Sequence, residues 1–210
     1  MLKKMYNIMK RNTWAAFRVH KCKKDRRNLK SQDFTILSQN CIGGVLYNDL
    51  GCRFLSPTIN MYFTFEDMIK FCENIKDYIL LEPVECESNY EFPVMMLGDL
   101  KLHMVHYRTF EDAKEKWNER KRRINFDNIC VIMTDRSGYS DEYVCRYNKL
   151  PYKKIMFVNS EDRHIVKDQF LIHGYENEKF VGVLSDPIGW FGRRNMDAYD
   201  FVEFLNSKST

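Results

Sequence analysis

A cysteine followed by two glycines is the feature of this sequence with the clearest chemical potential. SQNCIGG, residues 38–44, places Cys41 directly after FTILS, a short run typical of a buried strand. If a helix or turn begins there, backbone N–H groups favour the Cys41 thiolate, and Gly43 and Gly44 let the backbone approach a ligand. Cys41 is then a nucleophile, or Asn40 and its neighbours form an anion cradle. An ordinary turn around a buried cysteine is the alternative.

Histidine is the usual partner of a catalytic cysteine, and LHMVHY supplies His103 and His106. Side chains three residues apart on a strand point to opposite faces, so the two rings cannot share one metal ion without a bend. His106, at the end of the predicted strand, is therefore the candidate general base. A structural histidine held by hydrogen bonds is the competing interpretation.

Charged side chains at the ends of predicted elements are further candidates. Asp135 and Arg136 follow the apolar run NICVIMT, where Asp135 could orient a histidine, bind a sugar hydroxyl or cap a turn. Arg120 shares a helix face with Trp117, and a guanidinium group grips phosphate or carboxylate with two parallel bonds. A solvated helix face is the alternative for Arg120.

GWFGRRN, residues 189–195, sets an aromatic pair beside two arginines. A contact with a glycan or a nucleotide sugar and a loop packed on the core are both open for this stretch.

The elements that must position these residues alternate between apolar runs and charged helical patterns. We predict strands at FTILS, PVMMLG, LKLHMVHY, NICVIMT and KIMFVN, and two more at DQFLIHGY and FVGVLSD. Helices are predicted after the caps Thr64 and Thr109, over SDEYVCRYNKL and over the closing DAYDFVEFLN.

This order predicts an α/β fold, a mostly parallel sheet with helices on both faces in a Rossmann-like three-layer arrangement. We expect a basic arm at residues 1–32 and a single α/β domain at residues 33–210. Ligands collect at the carboxyl ends of parallel strands, so the site is expected directly after FTILS, VIMT and KIMFVN.

The basic charge is concentrated in the arm. Residues 1–30 hold eleven Lys or Arg against one acid, Asp25, whereas the rest of the chain holds 22 bases and 28 acids. An apolar stripe runs between the bases: Leu2, Met5, Ile8, Met9, Trp14 and Phe17. Such a helix suits an anionic membrane surface. Docking on the domain is equally open, and nucleic acid is the least favoured partner.

Composition and missing motifs exclude several classes. Seven scattered cysteines without CxxC pairs argue against a disulfide framework and a zinc ribbon, and reduced thiols fit the cytoplasm. The sequence has no P-loop, HExxH or GxSxG, which disfavours common nucleotide hydrolases, metalloproteases and α/β-hydrolases. It indicates no metal site and no particular cofactor. We expect neither a transmembrane helix nor a secretory signal.

Several stretches together resemble a bacterial family of unknown function that is associated with exopolysaccharide and capsule biosynthesis: ILSQNCIGG, LSPT, MYF, GDLKLHMVHY, WNERKRRIN and NICVIMTDRSG. The resemblance begins at about Asp33. A related group with the same HY…W…R…RIN arrangement is described as papain-like cysteine peptidases. By this similarity Cys41 and His106 form a thiol–imidazole pair, oriented by Asn60 or Asp135. Ligand contacts are expected within the motifs, at Asn40, Gly43, Gly44, Ser56, Asn60, Tyr107, Arg120 and Arg136.

Two functions of different classes follow from the residues and the resemblance. The first is a thiol-dependent transferase or hydrolase that modifies a cell-envelope glycan or its precursor, with the arm at the inner membrane leaflet. The second is a non-catalytic module that binds a nucleotide sugar or a glycan, or that serves as a scaffold. The expected ligand is a glycan, a nucleotide sugar or a lipid-linked sugar.

Overall fold

The computed structural model describes residues 2–163, 165–189 and 191–207, without the side chains of residues 2–5, 7 and 8. Leu2, Met5 and Ile8 of the predicted apolar stripe, and Trp190 of GWFGRRN, therefore lie outside what is described at side-chain level.

The described residues form seven α-helices and nine short strands. The helices are α1 (Leu2–Asn28), α2 (Ile42–Leu50), α3 (Phe65–Glu73), α4 (Ile75–Tyr78), α5 (Phe110–Lys121), α6 (Asp141–Lys149) and α7 (Phe201–Asn206). The strands are β1 (Thr35–Ser38), β2 (Val84–Cys86), β3 (Val94–Leu97), β4 (Leu100–His103), β5 (Ile129–Thr134), β6 (Lys153–Val158), β7 (Gln169–Leu171), β8 (Pro187–Ile188) and β9 (Arg193–Arg194). Glu161–Arg163 and Asn195–Ala198 form 3-10 turns.

The α/β class is confirmed, but the sheet differs from the predicted one. Four parallel strands lie in the order β1-β5-β6-β7, while β2, β3 and β4 form a separate antiparallel sheet and β8 pairs with β9. The parallel strands follow chain order, so the sheet lacks the reversal that marks a Rossmann-like fold. The prediction of a mostly parallel, Rossmann-like sheet is therefore wrong. The tight connection through Gly98, with φ 65°, forces β3 and β4 to run antiparallel.

Both faces of the parallel sheet are covered, as expected. Leu37, Val131 and Met133 point into a core shared with α3, α5, α6 and the antiparallel sheet. Their neighbours Ile36 and Ile132 point into a second core that includes α2 and α7. Alternate side chains of a strand lie on opposite faces, so a continuously apolar strand is what this three-layer packing requires.

The outer edge of β1 is closed by side-chain hydroxyl groups. The N–H groups of Ile36 and Ser38 are not used in pairing with β5. That of Ile36 donates to the Tyr47 hydroxyl at 3.0 Å, and that of Ser38 donates to Thr58 Oγ1 at 3.0 Å. Ser56 hydrogen-bonds the same Thr58 hydroxyl at 3.1 Å. The Ser-Pro-Thr turn therefore satisfies an edge strand whose N–H groups would otherwise lie buried without partners.

Residues 61–63 join the two sheets. Tyr62 exchanges two backbone hydrogen bonds with His103 at the end of β4, at 2.9 and 3.1 Å. The next N–H, of Phe63, donates to the carbonyl of Gln39 just beyond β1 at 2.9 Å. The ends of β1 and β4 are thereby held side by side.

Two smaller predictions have clear outcomes. Thr64 and Thr109 cap their helices, each accepting a hydrogen bond at 3.1 Å from the backbone N–H three residues on. FVGVLSD, residues 180–186, is not a strand. Its Val181 N–H donates to the buried carboxylate of Asp135 at 2.8 Å instead of to a neighbouring strand.

The second half of α1 docks on the domain. The Arg18 guanidinium donates to Asp197 at 2.7 and 2.8 Å and also pairs with Asp49, while Arg26 donates to the carbonyls of Asn48 and Asp49. Among the described residues, no helix combines the length and the apolar composition needed to cross a bilayer.

Candidate functional site

A cleft of about 360 Å³ opens at the carboxyl ends of β1 and β5. The strand ends supply its polar groups, and residues 182–185 form a covering loop. Outside this loop, the polar and aromatic residues that line the cleft are Gln39, Asn40, Cys41, Tyr62, Phe63, Thr134, Arg136 and Ser137. This is the edge of the sheet at which ligands collect in parallel α/β proteins.

Gln39 fixes the floor of the cleft. The Oε1 atom of its side-chain amide accepts hydrogen bonds from the Thr134 N–H at 2.9 Å and the Thr134 hydroxyl at 3.0 Å. Its amide donates to the Arg136 carbonyl at 3.0 Å. Because the Gln39 side chain is 2% exposed, these bonds hold the Arg136 backbone at a constant distance from β1.

Cys41 lies at the N-cap of α2, where the predicted turn occurs. The first free N–H groups of this helix are satisfied inside the chain, because Ile42 donates to the Asn40 side chain and Gly43 to Ser38 Oγ, each at 3.1 Å. These two groups are therefore engaged before any anion arrives.

The close packing around Gly43 leaves no room for a side chain at this position. A Cβ atom there would lie 2.6 Å from Ser38 Oγ, whereas one at Gly44 would meet Ile59 at an ordinary 3.4 Å. Ser38 cannot move aside, because it is fully buried and also donates to the Asn40 carbonyl at 2.6 Å.

Cys41 lines the cleft, and no described residue activates its thiol. The sulfur lies 4.0 Å from the Met61 carbonyl, and burial raises the pKa of the thiol. His106 is exposed and makes no hydrogen bond to Cys41. Because β4 ends at His103, the chain turns before residue 106, and the structure does not bring the predicted thiol–imidazole pair together.

His103 is the histidine that lies next to the cleft. Its ring stacks on Tyr62 at 4.2 Å with an interplanar angle of 3°, and it is 4% exposed. Burial, aided by Lys101, lowers its pKa, and its buried Nδ1 has no hydrogen-bond partner among the described residues. His103 therefore supports the aromatic wall as a neutral ring.

Asp135 does not line the cleft but binds the backbone next to the loop at residues 182–185. Its two oxygens accept from the Val181 N–H at 2.8 Å and the Asn159 N–H at 3.0 Å, and Arg163 Nε lies 3.8 Å away. Burial raises the pKa of this carboxyl, against the lowering effect of those two backbone bonds. The structure thus places Asp135 in the support of the covering loop, away from Cys41 and from both histidines.

Tyr107 and Arg120 brace the segment next to α2. Arg120 Nη1 donates to the Tyr107 hydroxyl at 2.6 Å, which donates to the Ile59 carbonyl at 3.1 Å. The neighbouring Asn60 adopts a left-handed conformation with φ 64°, which asparagine tolerates better than most residues. These predicted contact residues and the fully buried Ser56 do not belong to the described residues that line the cleft.

Arg136 is the cation of the cleft. Its guanidinium lies 5.2 Å from the centre of the Phe180 ring. No carboxylate forms an ion pair with it in the part of the chain that the structure describes. The cleft therefore combines one cation without a carboxylate partner, one protonated thiol, neutral amides and hydroxyls, and the ring of Tyr62.

The contributors with polar or aromatic side chains that were not predicted from the sequence are Gln39, Tyr62, Phe63, Thr134, Ser137 and the loop at residues 182–185. Gln39 directly follows the predicted strand FTILS, and Ser137 lies three residues after NICVIMT, so their positions were a usable signal. Tyr62 is held in the cleft wall by its backbone pairing with His103, which lies forty-one positions away. No local sequence pattern reveals this pairing. Within the described residues, no group of three or more His, Cys, Asp or Glu side chains could hold a metal ion.

Comparison with known proteins places the chain in a family. An uncharacterized protein of Haemophilus influenzae is 33% identical over 184 residues, which cover 86% of this chain and 88% of that protein. The family model of a domain of unknown function, DUF1919, matches residues 12–206. This match includes the second half of α1, whereas we expected the resemblance to begin at Asp33. The chain belongs to the DUF1919 family.

Proposed function

We propose that the cleft binds a phosphorylated sugar, either a nucleotide sugar or a lipid-linked sugar, that serves as a precursor of a bacterial surface polysaccharide. The observation that carries the proposal is Arg136, a cationic residue that lines the cleft and has no carboxylate partner among the described residues. A guanidinium matches the geometry of a phosphate and is less strongly hydrated than an ammonium group.

The neutral groups of the cleft suit the sugar. Tyr62 offers an aromatic ring, while Asn40, Ser137 and Ser185 offer amide and hydroxyl groups to sugar hydroxyls. The resemblance to exopolysaccharide and capsule proteins supports this substrate class and a place at the cytoplasmic side of the inner membrane, where such precursors are made.

The test is a calorimetric titration with a panel of UDP-, GDP-, CDP- and dTDP-linked sugars, the corresponding free sugars, and citronellyl phosphate as a short polyprenyl phosphate. We expect binding to phosphorylated members and none to the free sugars. With the tightest ligand, Arg136→Gln is expected to weaken binding roughly 10- to 100-fold, because a hydrogen bond to a charged group contributes about 1.5–3 kcal/mol.

The matched control is Arg122→Gln, which removes an exposed guanidinium that lies outside the cleft. Equal affinity of wild type and Arg136→Gln, or binding of the free sugars alone, would contradict the proposal.

A thiol-dependent transferase or hydrolase is the second candidate, favoured by the position of Cys41 in the wall of the cleft. The geometry argues against it, because burial raises the pKa of this thiol and no imidazole among the described residues hydrogen-bonds to it. A nucleophilic cysteine needs a large thiolate fraction near neutral pH. Relation to cysteine peptidases therefore gains no support from the site.

Alkylation with iodoacetamide at pH 7.5, followed for each cysteine by peptide mass spectrometry, separates the candidates. A binding cleft predicts that Cys41 reacts more slowly than the exposed Cys145, that its rate rises as the pH is raised towards 10, and that Cys41→Ser keeps ligand affinity. Alkylation of Cys41 well ahead of Cys145 at pH 7.5 would favour the thiol enzyme.

A further inference from the structure

The β8–β9 hairpin carries exposed apolar side chains at one end of the molecule. Phe191 is 62% exposed and Ile188 is 44% exposed, although both are large and apolar. The hairpin overhangs an open cavity of about 560 Å³, lined by Phe170, Ile172 and the same two side chains. An apolar patch of this kind on a folded domain marks a contact surface.

Cations border this apolar patch. Arg193 lines the cavity, is exposed, and forms no ion pair within the described ranges. Arm and hairpin meet at Gly192, where a Cβ atom would lie 2.5 Å from Cγ of Trp14. The Lys10 ammonium lies 4.8 Å from the Trp14 ring, one helical turn earlier on α1. The cationic arm and the apolar hairpin tip therefore share one surface.

We infer that this surface, defined as Lys10, its exposed neighbour Arg11 on α1, Ile188, Phe191 and Arg193, docks on a bilayer of anionic phospholipids. A phospholipid offers both halves of the required chemistry: acyl chains for the apolar tip and cavity, and phosphate groups for the cations. Aromatic and basic side chains side by side are typical of the membrane interface. Nucleic acid would meet the cations but leave Phe191 and Ile188 in water.

The inference extends the basic arm into a two-part surface and does not depend on the ligand of the cleft. Charge attraction alone would be a weak anchor, since each basic residue near an anionic leaflet contributes little and is screened by salt. Insertion of the hairpin tip supplies the second, apolar contribution that stable attachment needs.

The experiment is co-sedimentation of the full chain with vesicles of phosphatidylcholine, with and without a third of the lipid as phosphatidylglycerol. We expect binding to the anionic vesicles, weakened by added salt. Phe191→Ser should lower the partition coefficient about tenfold, because it removes a large apolar side chain from the acyl region. The double variant Lys10→Gln, Arg11→Gln should lower it at least as much.

Two matched controls isolate the surface. Leu80→Ser removes a 77% exposed apolar side chain that follows α4, which packs in the other core. Lys149→Gln with Lys167→Gln removes two exposed charges elsewhere. Both should bind as wild type, and melting temperatures should verify that every variant is folded.

Absence of binding to anionic vesicles, or undiminished binding by Phe191→Ser, would overturn the inference. Self-association without vesicles that Phe191→Ser abolishes would assign the surface to a second copy of the chain. Stronger retention on double-stranded DNA than on vesicles, lost in the Lys10, Arg11 double variant, would assign it to nucleic acid. Either result would also overturn the inference.

Discussion

Cys41 and Arg136 line the same cleft but meet opposite electrostatic conditions. Burial raises the pKa of the Cys41 thiol, and no imidazole of the described residues hydrogen-bonds to it. Arg136 has no carboxylate partner in the described part of the chain. The charge available to a ligand is therefore positive, which suits recognition of an anion better than nucleophilic attack.

His103 gives a pH-dependent prediction at the residue scale. Its pKa in the folded chain is lower than in the unfolded chain, so the unfolded state takes up a proton first as the pH falls. The free energy of unfolding should then decrease as the pH drops through about 6.5, the ordinary histidine pKa. His103→Phe keeps the stacking on Tyr62 and removes this loss, so the decrease between pH 7 and 5 becomes shallower.

Urea unfolding at several pH values measures this slope. At pH 7 we expect the stability of His103→Phe to lie within about 1 kcal/mol of wild type, because the buried Nδ1 makes no hydrogen bond to any residue that the structure describes. The control is His106→Phe at an exposed position nearby. An identical slope for wild type and His103→Phe would show that this ring does not titrate as described.

At the scale of elements, the start of α2 is held by the end of β1. Ser38 accepts the Gly43 N–H and donates to the Asn40 carbonyl, which sets the angle at which the helix leaves the strand. The position of Cys41 and Asn40 in the cleft wall thus depends on a glycine at residue 43.

Two glycine substitutions on this helix are expected to change the stability of the fold in opposite directions. Gly43→Ala should destabilise the fold by about 1–3 kcal/mol, because the new methyl group overlaps Ser38 Oγ. Gly44→Ala, next along the helix, should be neutral or stabilise by up to about 1 kcal/mol, since alanine is the better helix former and meets only ordinary contacts. Thermal unfolding of both variants checks this, and equal destabilisation would refute the packing role of Gly43.

At the scale of the whole molecule, local patterns predicted the elements and non-local contacts decided the site. The strands β1, β5 and β6 were predictable, because each is a continuous apolar run whose alternate side chains fill two cores. The carboxyl edge of the sheet was predictable for the same reason, and the cleft lies there.

The partners within the site were not predictable, because distant segments choose them. His103 pairs with Tyr62, and β4 ends at His103, three residues before His106. Asp135 is engaged by Val181, forty-six residues further along the chain. The separate antiparallel sheet had a local signal in Gly98, since a tight turn allows only an antiparallel partner.

The most direct test of the central claim is an amide ¹⁵N–¹H spectrum of the full chain, titrated with the tightest-binding phosphorylated sugar. Binding in the cleft predicts shifts concentrated at residues 39–42, 136–137 and 182–185 and at the Gln39 side-chain amide. At a ligand concentration near the wild-type Kd, these shifts should be much smaller in Arg136→Gln. Shifts that cluster elsewhere on the molecule, or that persist unchanged in Arg136→Gln, would contradict the assignment of the cleft as a phosphorylated-sugar site.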